Sequence, residues 1–238
     1  MQLAFEPAYV LHTRPYRDTS LLVDVFTRDC GRLSVVARGV RQRKSPRRQL
    51  LNPFGRILLS AQGRGNLKTL TGIEADAPVL ALQGLASFSG LYLNELLVRL
   101  LPEQDASPSL FEHYQDSLYQ LQACTDVEPV LRAFEFNLLA DLGYGISFTE
   151  QAESGAPIEP QGHYRLVADA GFVPWREGDD ERAKISGGHL LAINTGDYAD
   201  ELCRRQAKAL TRQLLRPLLG IRPLHSRALF AGTHTQVK

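Results

Sequence analysis

Cysteine is scarce in this chain. Cys30, Cys124 and Cys203 are the only three in 238 residues, and no two form a C-x-x-C pair. That excludes the sequence signature of a cysteine-based zinc site, argues against a disulfide framework and points to a reducing compartment. The amino terminus, MQLAFEPAYVLHTRPYRD, has no basic start followed by an apolar stretch, so no secretory signal is expected. No apolar run approaches the roughly 20 residues that span a bilayer, so a cytoplasmic location is expected, with no membrane contact. Catalytic constellations are missing too. The six histidines are scattered, with no H-E-x-x-H. GRGNLKT (63–69) has Leu67 where a phosphate loop requires a glycine directly before its lysine. Gly143-Tyr144-Gly145 reads as a helix end, and Asp179-Asp180-Glu181 as a solvated turn. No catalytic residue, metal site or cofactor is expected.

Acid is missing in one long stretch. From Cys30 through Ile73 there is no Asp or Glu, yet there are ten basic residues, six of them between Arg38 and Arg48. The whole chain carries a formal charge of only +1. The balance divides into three blocks: +7 over residues 1–80, −14 over 81–201 and +8 over 202–238. Fields of one sign concentrated in this way attract a polyanion.

With 44% apolar and 22% charged residues the chain reads as folded globular protein. Its fold class is expected to be α+β. The first 80 residues read as five strands: Ala8–Thr13, Ser20–Thr27, Arg32–Val40, Phe54–Ala61 and Leu67–Asp76. Leu21, Val23 and Val25 share one face of their strand, as do Leu33, Val35 and Ala37. Five strands at this spacing suit an OB-fold β-barrel, although the pattern alone does not separate it from SH3-like barrels.

Residues 81–238 read as an all-α helical domain. Leu85, Phe88, Tyr92, Leu96 and Leu100 recur at helical spacing until Pro102. A second helix is expected behind a Ser107 cap with Pro108 first, and a third from near Asp126 to Gly143. Residues 143–185 read as a loop-rich insertion with one hairpin, Tyr164–Val167 and Gly171–Trp175. A last helix is expected over Tyr198–Arg216, bounded by Pro217, followed by a short basic tail.

The DNA-binding candidates on the barrel are Arg14, Arg32, Arg38, Arg41, Arg43, Lys44, Arg47, Arg48, Arg64 and Lys68. On the last helix they are Arg204, Arg205, Lys208, Arg212 and Arg216, four of which repeat every fourth residue along one row. Phe26 and Phe54 read as core and Tyr16 as the aromatic to test, so contact with the phosphate backbone outweighs base readout. These features suit DNA or RNA equally. An RNA-binding OB module of translation or ribosome assembly is the alternative, and a metal-dependent nucleic-acid hydrolase is a third class.

Five segments resemble the bacterial recombination mediator RecO family, in family order. They are AYVLHTRPYRDTSLLVDVFTRDCGRLSVVARGVR, GRGNLKTL (63–70), GLYLNELLVRLL (90–101), EPVLRAFEFNLLADLGYG (128–145) and PLHSRALF (223–230). The resemblance implies an OB-fold followed by a helical domain, without enzymatic chemistry. It implies binding of single- and double-stranded DNA, strand annealing, and action with RecR in helping RecA displace single-strand-binding protein, in the cytoplasm at the nucleoid. It further implies a pocket for the acidic tail of single-strand-binding protein, for which Arg132 is the candidate. From the residues alone, an ion pair of Arg132 with Glu128 or Glu135 is an equal reading. Many family members carry a four-cysteine zinc module where this chain has Gln151-Ala152-Glu153-Ser154-Gly155, so a zinc-free version is expected.

Overall fold

The computed structural model describes residues 2–42, 45 and 47–231. By chain contacts it divides into two compact units, one of Met1–Val127 with Ile221–Lys238 and one of Glu128–Gly220. The sequence reading divides the chain near Ala81 instead. The units differ because the helices after Ala81 pack onto the strands before it.

In the first unit, β1 (Gln2–Tyr16), β2 (Ser20–Thr27), β3 (Gly31–Ala37), β4 (Arg56–Gln62) and β5 (Leu67–Ala75) close a barrel in the order β1-β2-β3-β5-β4. This is the OB-fold strand order. The short helix α1 (Arg47–Leu50) lies between β3 and β4, where the sequence suggests only a basic loop. β1 is much longer than its apolar segment suggests. It pairs with β4 over its first half and β2 over its second, and bulges after Leu3 and Val10 let it bend to serve both. Pro15 sits one residue from the strand end, where a missing N–H costs little. Val23, Val25, Leu33, Val35 and Ala37 all point into the barrel core.

The opposite face of β2 is buried as well, through Leu22, Asp24 and Phe26. Its cover is α2 (Gly84–Leu100) and α3 (Pro108–Ala123). Tyr9 and Phe26 meet Phe111 and Tyr114 with ring centroids 5.2–6.3 Å apart. Tyr114 donates to Asn94 Oδ1 at 2.5 Å, and Asn94 Nδ2 donates to the Leu11 carbonyl at 2.9 Å. Ser107 caps α3 by accepting from the Leu110 N–H at 3.2 Å, with Pro108 in the first turn.

The chain returns to this unit through a strap at 221–226 and α7 (Arg227–Ala231). The Glu95 carboxylate accepts from the His225 N–H (2.8 Å), the Ser226 N–H (2.8 Å) and Ser226 Oγ (2.6 Å). Arg99 donates to the carbonyls of Arg222 and Pro223. Burial works to raise the Glu95 pKa, but the Ser226 and His225 bonds outweigh it and hold the group below the usual carboxylate range. A carboxyl depressed on folding stabilises above its unfolded pKa and loses that contribution as pH falls through its folded value. Acidification past the ordinary carboxylate range, through the depressed folded value, is therefore expected to free the 221–231 segment. Hydrogen exchange of that segment should rise there in the wild type, and should already be raised at neutral pH in Glu95→Gln.

In the second unit, α4 (Glu128–Asp141) is followed by β6 (His163–Val167), β7 (Gly171–Pro174), β8 (Ile185–Ser186), α5 (Gly187–Thr195) and α6 (Glu201–Leu219). The sheet order is β7-β6-β8. The expected hairpin is β6–β7, but β8 and α5 were not anticipated. α5 opens with two glycines, which weaken its helical signal, and is started by Ser186 accepting from the His189 N–H. Phe148, Phe172, Leu190 and Leu210 form the core beneath it, so residues 143–185 are tied to packed structure.

α6 starts at Glu201, because Asp200 caps the Cys203 N–H at 2.7 Å, and Tyr198 is buried ahead of it. Pro217 does not end the helix. It removes one donor only, and the last turn continues until the Gly220 N–H closes on the Arg216 carbonyl at 3.2 Å. Among the described residues, no helix is long and apolar enough to cross a membrane.

Candidate nucleic-acid interface

The acid-free stretch reaches the barrel surface at the loops of the OB-fold. The β1–β2 turn places Arg17 in a left-handed conformation (φ 51), with its guanidinium carbon 5.3 Å from the centre of the Tyr16 ring. That turn borders a groove of about 490 Å3, which also includes Ser20, Arg38, Leu67 and Thr69. A second depression of about 710 Å3 shares Arg38 and Thr69 and adds Gln2, Gln62 and Arg64 from the β4–β5 turn. Arg38 thus stands between the two loops that carry ligands in many OB-folds. Arg17, Arg38 and Arg64 are exposed and make no ion pair among the described residues. Arg41 is exposed and braces the β1–β2 turn, donating to the carbonyls of Arg17 (3.0 Å) and Asp18 (3.3 Å). Arg47 and Arg48 are exposed on α1, which packs beside β5. Arg43 and Lys44 lie outside the described residues. Arg17 is absent from the sequence candidates; its place in a tight turn behind Pro15-Tyr16 was the available signal.

Other candidates are engaged inside the fold. Lys68 is 1% exposed. Its ammonium donates to the Gly65 carbonyl at 2.7 Å and to Gln104 Oε1 at 3.2 Å, pinning the β4–β5 turn to the α2–α3 loop. Arg32 donates from Nε to the Leu101 carbonyl at 3.0 Å and pairs with Glu103 at 3.6 Å. With the exposed Arg14, it lines a separate cleft of about 780 Å3 between the outer face of β1–β3 and α2. Tyr9, Phe26 and Phe54 are buried, whereas Tyr16 is half-buried at the groove.

In the second unit the basic row of α6 splits. Arg204 donates from Nε to the Tyr198 carbonyl, and Lys208 pairs with Glu128. Arg205, Arg212 and Arg216 are exposed and make no ion pair among the described residues. Arg132 is buried on α4, and its guanidinium meets Glu135 at 2.6 Å. The intrahelical pair is therefore formed, with Glu135 and not Glu128. Arg132 Nε is buried with no hydrogen-bond partner among the described residues. The neighbouring Tyr198 hydroxyl is pushed up to about 12, chiefly by burial.

The Gln151–Gly155 turn is closed by hydrogen bonds. Gly155 N–H donates to the Gln151 carbonyl at 3.0 Å, and Gln151 N–H to that of Ala156 at 2.8 Å. Among the described residues, no three His, Cys, Asp or Glu side chains gather as a metal site.

The family model for the recombination protein O N-terminal region matches residues 1–78, and that for its C-terminal region matches 82–228. A DNA repair protein RecO of Cellvibrio japonicus is 52% identical over 230 residues, covering 97% of this chain and 98% of the relative. That of Haemophilus influenzae is 45% identical, with 97% of each chain covered. That of Pseudoalteromonas atlantica is 42% identical, over 95% of this chain and 93% of the relative. The chain belongs to the RecO family of DNA repair and recombination proteins, which are non-catalytic mediators.

Proposed function

We propose that this protein binds single- and double-stranded DNA at the arginine-lined grooves of its barrel and anneals complementary strands. In this reading it works with RecR to help load RecA onto DNA coated by single-strand-binding protein. The observation that carries the reading is the gathering of Arg17, Arg38 and Arg64 around the β1–β2 and β4–β5 loops without acidic partners among the described residues. Neutralising phosphates on two strands lowers their mutual repulsion, which permits annealing without ATP. Arg205, Arg212 and Arg216 offer a second phosphate-binding surface.

Arg132 is the proposed partner for the carboxylate of the single-strand-binding protein tail, because its buried Nε keeps a donor position open. Residues 1–80 would then act as the main DNA module, and the helical domain 81–238 would carry both the partner site and the second phosphate-binding surface. The test is annealing of complementary strands coated with tail-bearing or tail-deleted single-strand-binding protein. Annealing is expected with the tail and much reduced without it. No annealing in either case rejects the proposal.

A further inference from the structure

Phe5 is an aromatic that the folded core does not use. It is 57% exposed, and its backbone is left-handed at φ 54. A bulky L-residue in that region is a steric outlier, which persists only where surrounding contacts hold it. One such contact is the Phe5 N–H, which donates to Ser60 Oγ at 3.0 Å. Phe5 lies within the bulge that interrupts the β1–β4 pairing between Leu3 and Glu6. Bulges re-aim side chains. Leu3 and Ala8 on either side point into the barrel, and Phe5 is turned to the outside.

The surface around it is shaped to match. Ser60 pairs with Gly72 on β5, and a Cβ at Gly72 would lie 3.2 Å from Ser60 Cβ. Glycine there leaves Ser60 room to hold the bulge. Gln62 follows on β4 at about 7 Å, two residues of strand rise beyond Ser60. Gln62 and its pair Gln2 line the depression that holds Arg38 and Arg64. An exposed ring is thus one step along the sheet from two cations without acidic partners among the described residues.

We propose that Phe5 is a stacking platform for an unpaired base of single-stranded DNA whose phosphates lie over Arg38 and Arg64. The inference rests on the DNA-binding reading above and adds to it a preference for strands with accessible bases. A ring face accepts any base, so the contact is tolerant of sequence, and bases within a duplex are not available to it.

The test is equilibrium binding of the full chain to oligothymidylate and to an abasic oligonucleotide of equal length. Phe5→Ala is expected to weaken oligothymidylate binding by about 5- to 150-fold, the weight of one base stacked on an aromatic. Abasic binding and the salt dependence should stay unchanged, and Phe5→Trp should retain wild-type affinity. Phe5→Gly guards against a folding defect, because glycine suits the left-handed backbone. It should keep or raise the thermal midpoint while losing oligothymidylate affinity as alanine does. Equal loss on both oligonucleotides, or loss on neither, overturns the stacking role. A wild type that binds the abasic strand as well as oligothymidylate also overturns it, with the phosphate reading left standing. A wild type that binds neither strand overturns both.

Discussion

A chain carrying Arg17→Ala, Arg38→Ala, Arg48→Ala and Arg64→Ala together is expected to lose most of its affinity for single-stranded DNA at physiological salt. Each phosphate contact contributes about 0.7 to the log–log salt slope on single strands, so four lost contacts should flatten it by about 2.8. That contribution fades toward 1 M salt, so the loss at ~0.15 M is on the order of 10²-fold. Folding should be unaffected, because all four side chains are exposed. Fluorescence anisotropy across a salt series measures both quantities. An unchanged slope would move DNA away from these loops, towards the α6 arginines or the cleft at Arg14. Lys68→Ala serves as the contrast. Its ammonium holds Gly65 and Gln104, so its loss should lower stability with little change of slope.

Arg132→Ala is expected to destabilise the protein by about 3–5 kcal/mol, because it removes the cation that pairs with the buried Glu135 carboxylate. The Arg132 side chain is 8% exposed and that of Glu135 is 1% exposed, so water cannot replace the lost charge. This is a large share of the ~5–15 kcal/mol that holds a typical domain together, and urea denaturation should reveal it. Removing both charges, as in Arg132→Met with Glu135→Leu, should restore most of the stability. The double variant also separates fold from function. If Arg132 receives the carboxylate of the single-strand-binding protein tail, the refolded double variant still fails to bind a tail peptide while binding bare DNA normally. Normal tail binding by that variant would leave the pair with a structural role alone.

Much of the fold was legible along the chain because its signals are local. Alternation placed Val23, Val25, Leu33 and Val35 on the inner faces of their strands, and the Ser107-Pro108 cap lies within one helical turn. The rest had non-local causes. Phe26 is core as its sequence suggests, but only the packing of α3 shows that it is buried on the outside of the barrel. The extended reach of β1 depends on β4, whose paired residues lie some 50 positions away in sequence. Pro217 looked like a stop, yet a helix tolerates one missing donor near its end.

What the sequence by itself determined is where charge is concentrated, since an acid-free stretch is visible without coordinates. The α+β class and the family resemblance were legible in the same way. Only the tertiary structure decided which of those charges are free. Lys68 and Arg32 belong to the same basic run as Arg38 and Arg64, but Gln104, Leu101 and Glu103, far along the chain, engage them. A buried cation must be paired or hydrogen-bonded, and its partners are set by folding, not by sequence neighbours. The groove at Arg38 depends on two distant turns meeting, and the exposure of Phe5 on a bulge that exists only once β1 is paired with β4.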